Sequence, residues 1–308
     1  MRTYFLLILF LSLSWLPSQA QDKPFPNSAF LTVDELSLHH RQWKQPDSLR
    51  RGYVLLVHGF CGSTFSWRNT VPALLEQGYE VLAVDVPPFG YSDRATRVNH
   101  APSYQAKLLW GLIKQLYPAD EPKWHVVGHS MGASIVGAMT SARPAKVRGL
   151  ILVDGTITYV EDGLEGWREM LVRSRIAKGG AEIAGRLYFF HYGRIKKILT
   201  TAYSQEPDSA AIVGYLEPLK IKKTASGIFD LTGYSEDIFP FSYLDIKQPV
   251  LMIWGEKDQW IPIGQGKKQA EKMETADLVV LPGAGHCPME THGDTFNRFV
   301  LSWLKAYP

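Results

Sequence analysis

The chain has 308 residues, 45% of them hydrophobic and 20% charged, a globular composition that fits one large domain or one domain carrying an insertion. Thirty-three Lys and Arg against 30 Asp and Glu leave a formal charge of only +3 with no long basic run, which excludes recognition of nucleic acid through a basic face. No internal repeat or low-complexity tract divides the chain.

The amino end reads as a targeting segment. Arg2 precedes an apolar run from Tyr4 to Leu16, and Pro17-Ser-Gln-Ala20 ends in small residues at the −3 and −1 positions of a cleavage site. A secretory signal peptide over residues 1–20 is expected, with a mature chain that is exported to the periplasm or secreted. An uncleaved anchor is the rival reading, but the run is short against the roughly 20 residues a span needs. No other stretch is apolar enough, so no stable membrane span is expected after cleavage.

Ala29 to Lys44 alternates loosely and predicts two early strands, a hairpin at a sheet edge. Gly52–Val57 is a continuous apolar run that suits a strand covered by helices on both faces. A helix is expected from Ser66 to Gln77, stopped by Gly78. Val81 to Val84 is the next buried strand, and Tyr104 to Leu116 has apolar residues at helical spacing. Trp124 to Val127 is again strand-like, then turns abruptly at Gly128-His129-Ser130-Met131-Gly132 into small and apolar residues suited to a buried helix. This is a G-x-S-x-G elbow, in which the serine sits on a tight turn with its hydroxyl exposed. A Cβ at Gly128 or Gly132 would clash with the neighbouring strand or helix.

Gly149 to Val153 is one more buried strand, after which the alternation stops. Residues 155–245 lack a buried strand but hold helical patterns of mixed charge, with an aromatic run at Leu187-Tyr-Phe-Phe-His-Tyr192. The rhythm resumes with Val250 to Trp254, a helix near Gln265 to Met273, Leu278 to Leu281, and a last helix from Thr295 to Lys305. The expected fold is therefore α/β, with a mostly parallel central sheet built from residues 21–154 and 246–308. Residues 155–245 form a helical lid inserted between two strands, over the carboxyl edge where ligands bind.

A serine hydroxyl needs a general base within hydrogen-bond reach, and the base needs a carboxylate to fix its tautomer. With an elbow serine the partners follow in the order serine, acid, histidine. Two loops after apolar strands supply them: Asp258 in Trp254-Gly-Glu-Lys-Asp-Gln-Trp-Ile-Pro262, and His286 in Pro282-Gly-Ala-Gly-His-Cys-Pro288. Glu256 and Asp154 compete as acids, and Asp154 ranks second because it also ends a strand. The oxyanion requires two donors. The backbone N–H of Met131 is one, and that of Phe60, in the loop His58-Gly-Phe-Cys-Gly-Ser63, is the other. His58 follows a strand but precedes the serine, so it reads as a loop-shaping residue. No metal-ligand cluster and no glycine-rich phosphate loop is visible, and no cofactor is expected.

The stretches HGFCGS (58–63), GHSMG (128–132), WGEKDQWIP (254–262) and GAGHCP (283–288) together resemble the α/β-hydrolase superfamily, and within it the lid-bearing serine esterases and carbon–carbon bond hydrolases. The resemblance spans nearly all of the mature chain. It implies Ser130 as nucleophile, Asp258 as acid, His286 as base, and Phe60 and Met131 as oxyanion donors. One departure stands out. Family members often carry D-x-P-G-x-G-x-S after the second long strand, whereas Asp85-Val-Pro-Pro-Phe-Gly-Tyr-Ser92 has Pro88 at the first glycine, so the path of this loop is open. The serine sets the chain apart from relatives with an aspartate nucleophile. The lack of a Gly-Pro-Gly oxyanion loop favours an esterase over a carbon–carbon hydrolase.

The expected activity is cleavage of a small or medium ester, with an apolar part of the substrate facing the lid. A carbon–carbon hydrolase and a low-turnover ligand-binding protein are the alternatives. The oligomeric state stays open. Cys61 adjoins the oxyanion loop and Cys287 follows His286. Either a disulfide ties the two loops, or both are free thiols.

Overall fold

The computed structural model describes residues 23–94, 98–118, 122–158, 175–231 and 236–308. The expected signal peptide and part of the expected lid lie outside them. Eight strands form one sheet in the order β1-β2-β4-β3-β5-β6-β7-β8. They are β1 (Ser28–Val33), β2 (Leu36–Trp43), β3 (Gly52–Val57), β4 (Tyr79–Val84), β5 (Trp124–His129), β6 (Val147–Val153), β7 (Val250–Gly255) and β8 (Ala276–Leu281). β1 and β2 are the expected edge hairpin, closed at Asp34 and Glu35, both with positive φ. β2 also runs antiparallel to β4, and all remaining pairs are parallel.

Both faces of the sheet are covered, which is why its central strands are apolar at consecutive positions rather than at alternate ones. Within β3, Leu55 and Val57 pack with helices α2 (Pro102–Leu116) and α3 (Met131–Ala142), while Val54 and Leu56 pack with α1 (Val71–Glu76) on the other side. The expected helix from Ser66 is split. A 3₁₀ turn, Thr64–Trp67, comes first, and α1 starts afresh with Pro72 in its opening turn, where a missing N–H costs nothing. Gly78 then takes φ +81° to end it, and a Cβ there would lie 2.5 Å from the Leu49 carbonyl.

Among the described residues, four α-helices lie between β6 and β7: α4 (Arg175–Ala184), α5 (Tyr192–Tyr203), α6 (Ser209–Leu219) and α7 (Thr224–Leu231), with a π-helical turn at Gly185–Phe189 joining α4 to α5. Ile195 and Leu199 of α5 and Ile212 and Leu216 of α6 are buried in the same cluster as Val54 and Leu56. The chain closes with α8 (Ile263–Ala270), α9 (Pro288–Thr291) and α10 (Gly293–Ala306). Among the described residues, no helix is long and apolar enough to cross a membrane.

Candidate active site

Ser130 stands between β5 and α3 with φ 50° and ψ −118°, a conformation costly to a residue with a side chain. Close packing leaves the turn no other path. A Cβ on Gly128 would lie 2.3 Å from the Gly132 carbonyl oxygen, and one on Gly132 would lie 2.5 Å from that of Val57. Gly59 presses on the elbow from the neighbouring loop, where a Cβ would come within 2.9 Å of the Ser130 Cβ. These contacts are what the two elbow glycines predict.

His286 and Asp258 meet at the carboxyl end of the sheet, after β8 and β7. The His286 Nδ1–H donates to Asp258 Oδ2 at 2.8 Å, which fixes the tautomer and leaves Nε2 as the ring's basic atom. The other carboxylate oxygen of Asp258 accepts from the amides of Trp260 and Ile261 at 2.8 and 3.0 Å. Burial pushes the Asp258 pKa up, but the His286 contact and the two amides outweigh it and hold the acid below its ordinary value. Trp260 stacks on the imidazole with ring centroids 5.2 Å apart.

Ser130 and His286 line one cavity of about 560 Å³. Among the described residues no hydrogen bond joins them, a contact that in substrate-free sites is often long and tightens on binding. Phe60, Cys61 and Gly59 border the same cavity, and Met131 opens α3 beside it. The amide of Met131 is an orphan donor of the first helical turn. Among the described residues, neither it nor the Phe60 amide donates to a protein acceptor.

His58 is a loop-shaping residue here. It is fully buried, donating from Nδ1 to the Gly59 carbonyl at 2.7 Å and accepting the Val86 amide on Nε2 at 2.9 Å. It thereby ties the loop after β3 to the loop after β4. That second loop, with Pro88 where relatives have glycine, is organised by the buried Asp85, whose carboxylate accepts from the Thr64 and Tyr91 amides and from His39. Gly90 lies against it at φ +59°, where a Cβ would overlap the Asp85 carboxyl. The Pro87–Pro88 peptide is cis. Phe89 packs edge-on to Phe60 at 5.1 Å, so this loop supports the expected oxyanion loop.

Cys61 and Cys287 are free thiols. The disulfide that sequence proximity to the two loops allowed is not formed. Burial instead pushes Cys61 up to about 12 and Cys287 well above its ordinary range, so neither carries thiolate.

Glu256 points away from the site and accepts the Gly283 amide at 2.9 Å, shaping the turn before His286. Asp154 does not. Its Oδ1 accepts the Gly255 amide at 2.8 Å, and ligand atoms of Asp154, Asp258 and His286 lie within 4.8 Å of one another. Such a trio could in principle hold a metal ion, but the His286 Nδ1 and the facing Asp258 oxygen are already engaged with each other. Burial, and then the nearby Asp258 charge, push Asp154 well above the ordinary carboxylate range.

Two contributors carried no sequence signal beyond their place within or beside a motif. His129 donates from Nε2 to the His286 carbonyl at 2.8 Å, and burial pushes its pKa down to about 3, so it stays neutral. Glu290 is a buried hub. It accepts the Tyr203 hydroxyl at 2.6 Å and that of Tyr215 at 2.5 Å, and it pairs with Arg68.

The model of the alpha/beta hydrolase fold family matches residues 52–293. The chain belongs to that family. It is similar to the 2-hydroxy-6-oxononadienedioate/2-hydroxy-6-oxononatrienedioate hydrolase of Escherichia coli (strain K12), at 25% identity over 293 residues, covering 90% of this chain and 95% of that one. An uncharacterized hydrolase of Bacillus subtilis (strain 168), YugF, is 24% identical over 89% of this chain and 96% of its own length. Among solved structures, a thermophilic esterase from Thermogutta terrifontis shares the fold with a TM-score of 0.68, at 19% identity over 91% of this chain and 98% of its own.

Proposed function

We propose that this α/β hydrolase cleaves a carboxylic ester with an apolar acyl or alkyl part, through an acyl-serine intermediate. His286 Nε2 takes the proton of Ser130 as Oγ adds to the ester carbonyl, and Asp258 stabilises the imidazolium. The Phe60 and Met131 amides hold the oxyanion. The C–O bond to the alcohol breaks as His286 returns the proton to the leaving oxygen. A water, deprotonated by the same imidazole, then releases the acid and restores Ser130.

The observation that carries this reading is His286, paired with Asp258 at 2.8 Å, lining the same cavity as the elbow serine. The cavity supports an apolar substrate. Phe189, Phe190, Leu199 and Phe229 line it, and no Lys or Arg is among its described lining residues. The E. coli relative acts, by its name, on a dicarboxylate, which would need cationic partners in such a pocket. Carbon–carbon cleavage is therefore the second reading, resting on that relative. The amino-terminal pattern supports export, with Gln21 as the first residue of the processed chain.

The test is turnover of p-nitrophenyl esters of graded chain length beside Ser130→Ala. Loss of about 10⁴-fold or more in kcat on Ser130→Ala is expected. Retained turnover by that variant would sink the proposal, and turnover of a dienol-ketone with none of any ester would transfer it to the carbon–carbon reading.

A further inference from the structure

The insertion carries an apolar surface that the esterase reading leaves unused. Ile183, Leu187 and Tyr188 are 61%, 62% and 63% exposed, although each is large and apolar. Phe189, Ile198, Trp260 and Phe60 are also exposed while lining the cavity, so they form its mouth. Large apolar side chains left exposed close together along one segment mark an interaction site.

Charge identifies the partner. Among the described side chains of residues 179–203, Arg194, Lys196 and Lys197 are basic and Glu182 is the one acid. Glu182 is turned to other work, accepting the Lys223 and Ser226 amides at the start of α7. Arg194 lies one helical turn before Ile198 and Lys197 directly beside it, both exposed, so cations border the mouth. Lys196, on the opposite flank of α5, is paired with Glu206. Apolar and aromatic side chains flanked by basic ones are the pattern of a helix lying in the headgroup plane of an anionic bilayer. A second copy fits poorly, because a two-fold contact would set this basic face against itself.

We infer that the face formed by Ile183, Leu187, Tyr188, Arg194 and Lys197 docks on an anionic phospholipid surface, with the cavity mouth turned toward the lipid. Docking does not depend on the proposed esterase chemistry.

The experiment is co-sedimentation of the Ser130→Ala chain from Gln21 onward, which keeps every described residue and drops the apolar run at 4–16. Vesicles of phosphatidylcholine alone are compared with vesicles containing phosphatidylglycerol, at low and high salt. Binding to the anionic vesicles about tenfold or more above the neutral ones, weakened by salt, is expected. Leu187→Ser/Tyr188→Ser and Arg194→Glu/Lys197→Glu should each weaken it about tenfold, while the same changes in the Ser130 chain leave turnover of a short soluble ester intact. Absence of binding, binding equal for all variants, or a dimer in sedimentation that these changes dissociate would each overturn the inference. None of those results bears on whether Ser130 is the nucleophile.

Discussion

Asp154 sits behind the His286–Asp258 pair with one oxygen bonded to an amide and the other buried without a partner among the described residues. Its folded-state pKa is raised, so the stability linked to its proton is complete below the ordinary carboxylate value of 3.8 and is lost as pH rises through the folded value. Asp258 runs the other way, its contribution present above 3.8 and lost only as pH falls through its lowered value. Asn at 154 mimics the protonated acid, keeping an acceptor for Gly255 and presenting N–H toward Asp258. Each unit of raised pKa is worth about 1.4 kcal/mol, and about 1 kcal/mol moves Tm by roughly 1.5–2 °C in a chain of this size. The Tm advantage of Asp154→Asn over the parent should therefore grow by at least about 2 °C between pH 4 and pH 8, read by calorimetry. A difference that does not change with pH would show that Asp154 is not held protonated. Sequence made Asp154 visible as an acid at a strand end, just as it did Asp258. Its closeness to Asp258 was not legible, because that depends on how β6 and β7 pair.

At the scale of the element, the elbow was the most legible feature, since glycine spacing and the change from strand to helix pattern are both local. What sequence could not give is the strain it holds. A residue at φ 50° and ψ −118° costs about 1–3 kcal/mol unless it is glycine. Ser130→Gly should accordingly be more stable than Ser130→Ala by about 1 kcal/mol in urea titration, although both lack the hydroxyl. Equal stability of the two would mean that the turn is relaxed. Gly128→Ala should fail in the opposite direction, losing about 3 kcal/mol, because its Cβ meets α3 backbone rather than a side chain that could move. The helix expected from Ser66 shows where local pattern misleads. Its apolar spacing continues through Pro72, but the backbone breaks into a 3₁₀ turn and a new helix there.

The molecule as a whole joins the insertion to the hydrolase core through polar contacts that no periodicity announces. α5 ends on the histidine loop, where the Ala202 carbonyl accepts the His286 amide at 2.6 Å, and Ser204 reaches the Lys257 carbonyl beside Asp258. Glu290, in α9, binds Tyr203 of α5, Tyr215 of α6 and Arg68 of the core together, all at least half-buried. Removing one member of a buried charge pair costs about 3–5 kcal/mol, because the remaining groups stay desolvated. Glu290→Ala should thus lower stability by about that amount, whereas Tyr215→Phe, which deletes one hydroxyl, should cost only about 1–2 kcal/mol. The two changes differ in what they release. With Glu290 gone, α5 and α6 both lose their tie to α9, so limited proteolysis under native conditions should cut within 192–219 earlier than anywhere in the sheet. Because His286 hangs from Ala202, kcat on the proposed ester should fall with that loosening, and the rate of Ser130 labelling by a fluorophosphonate should fall with it. Cleavage that begins instead in the core helices would place the Glu290 network in global folding rather than in the seating of the insertion.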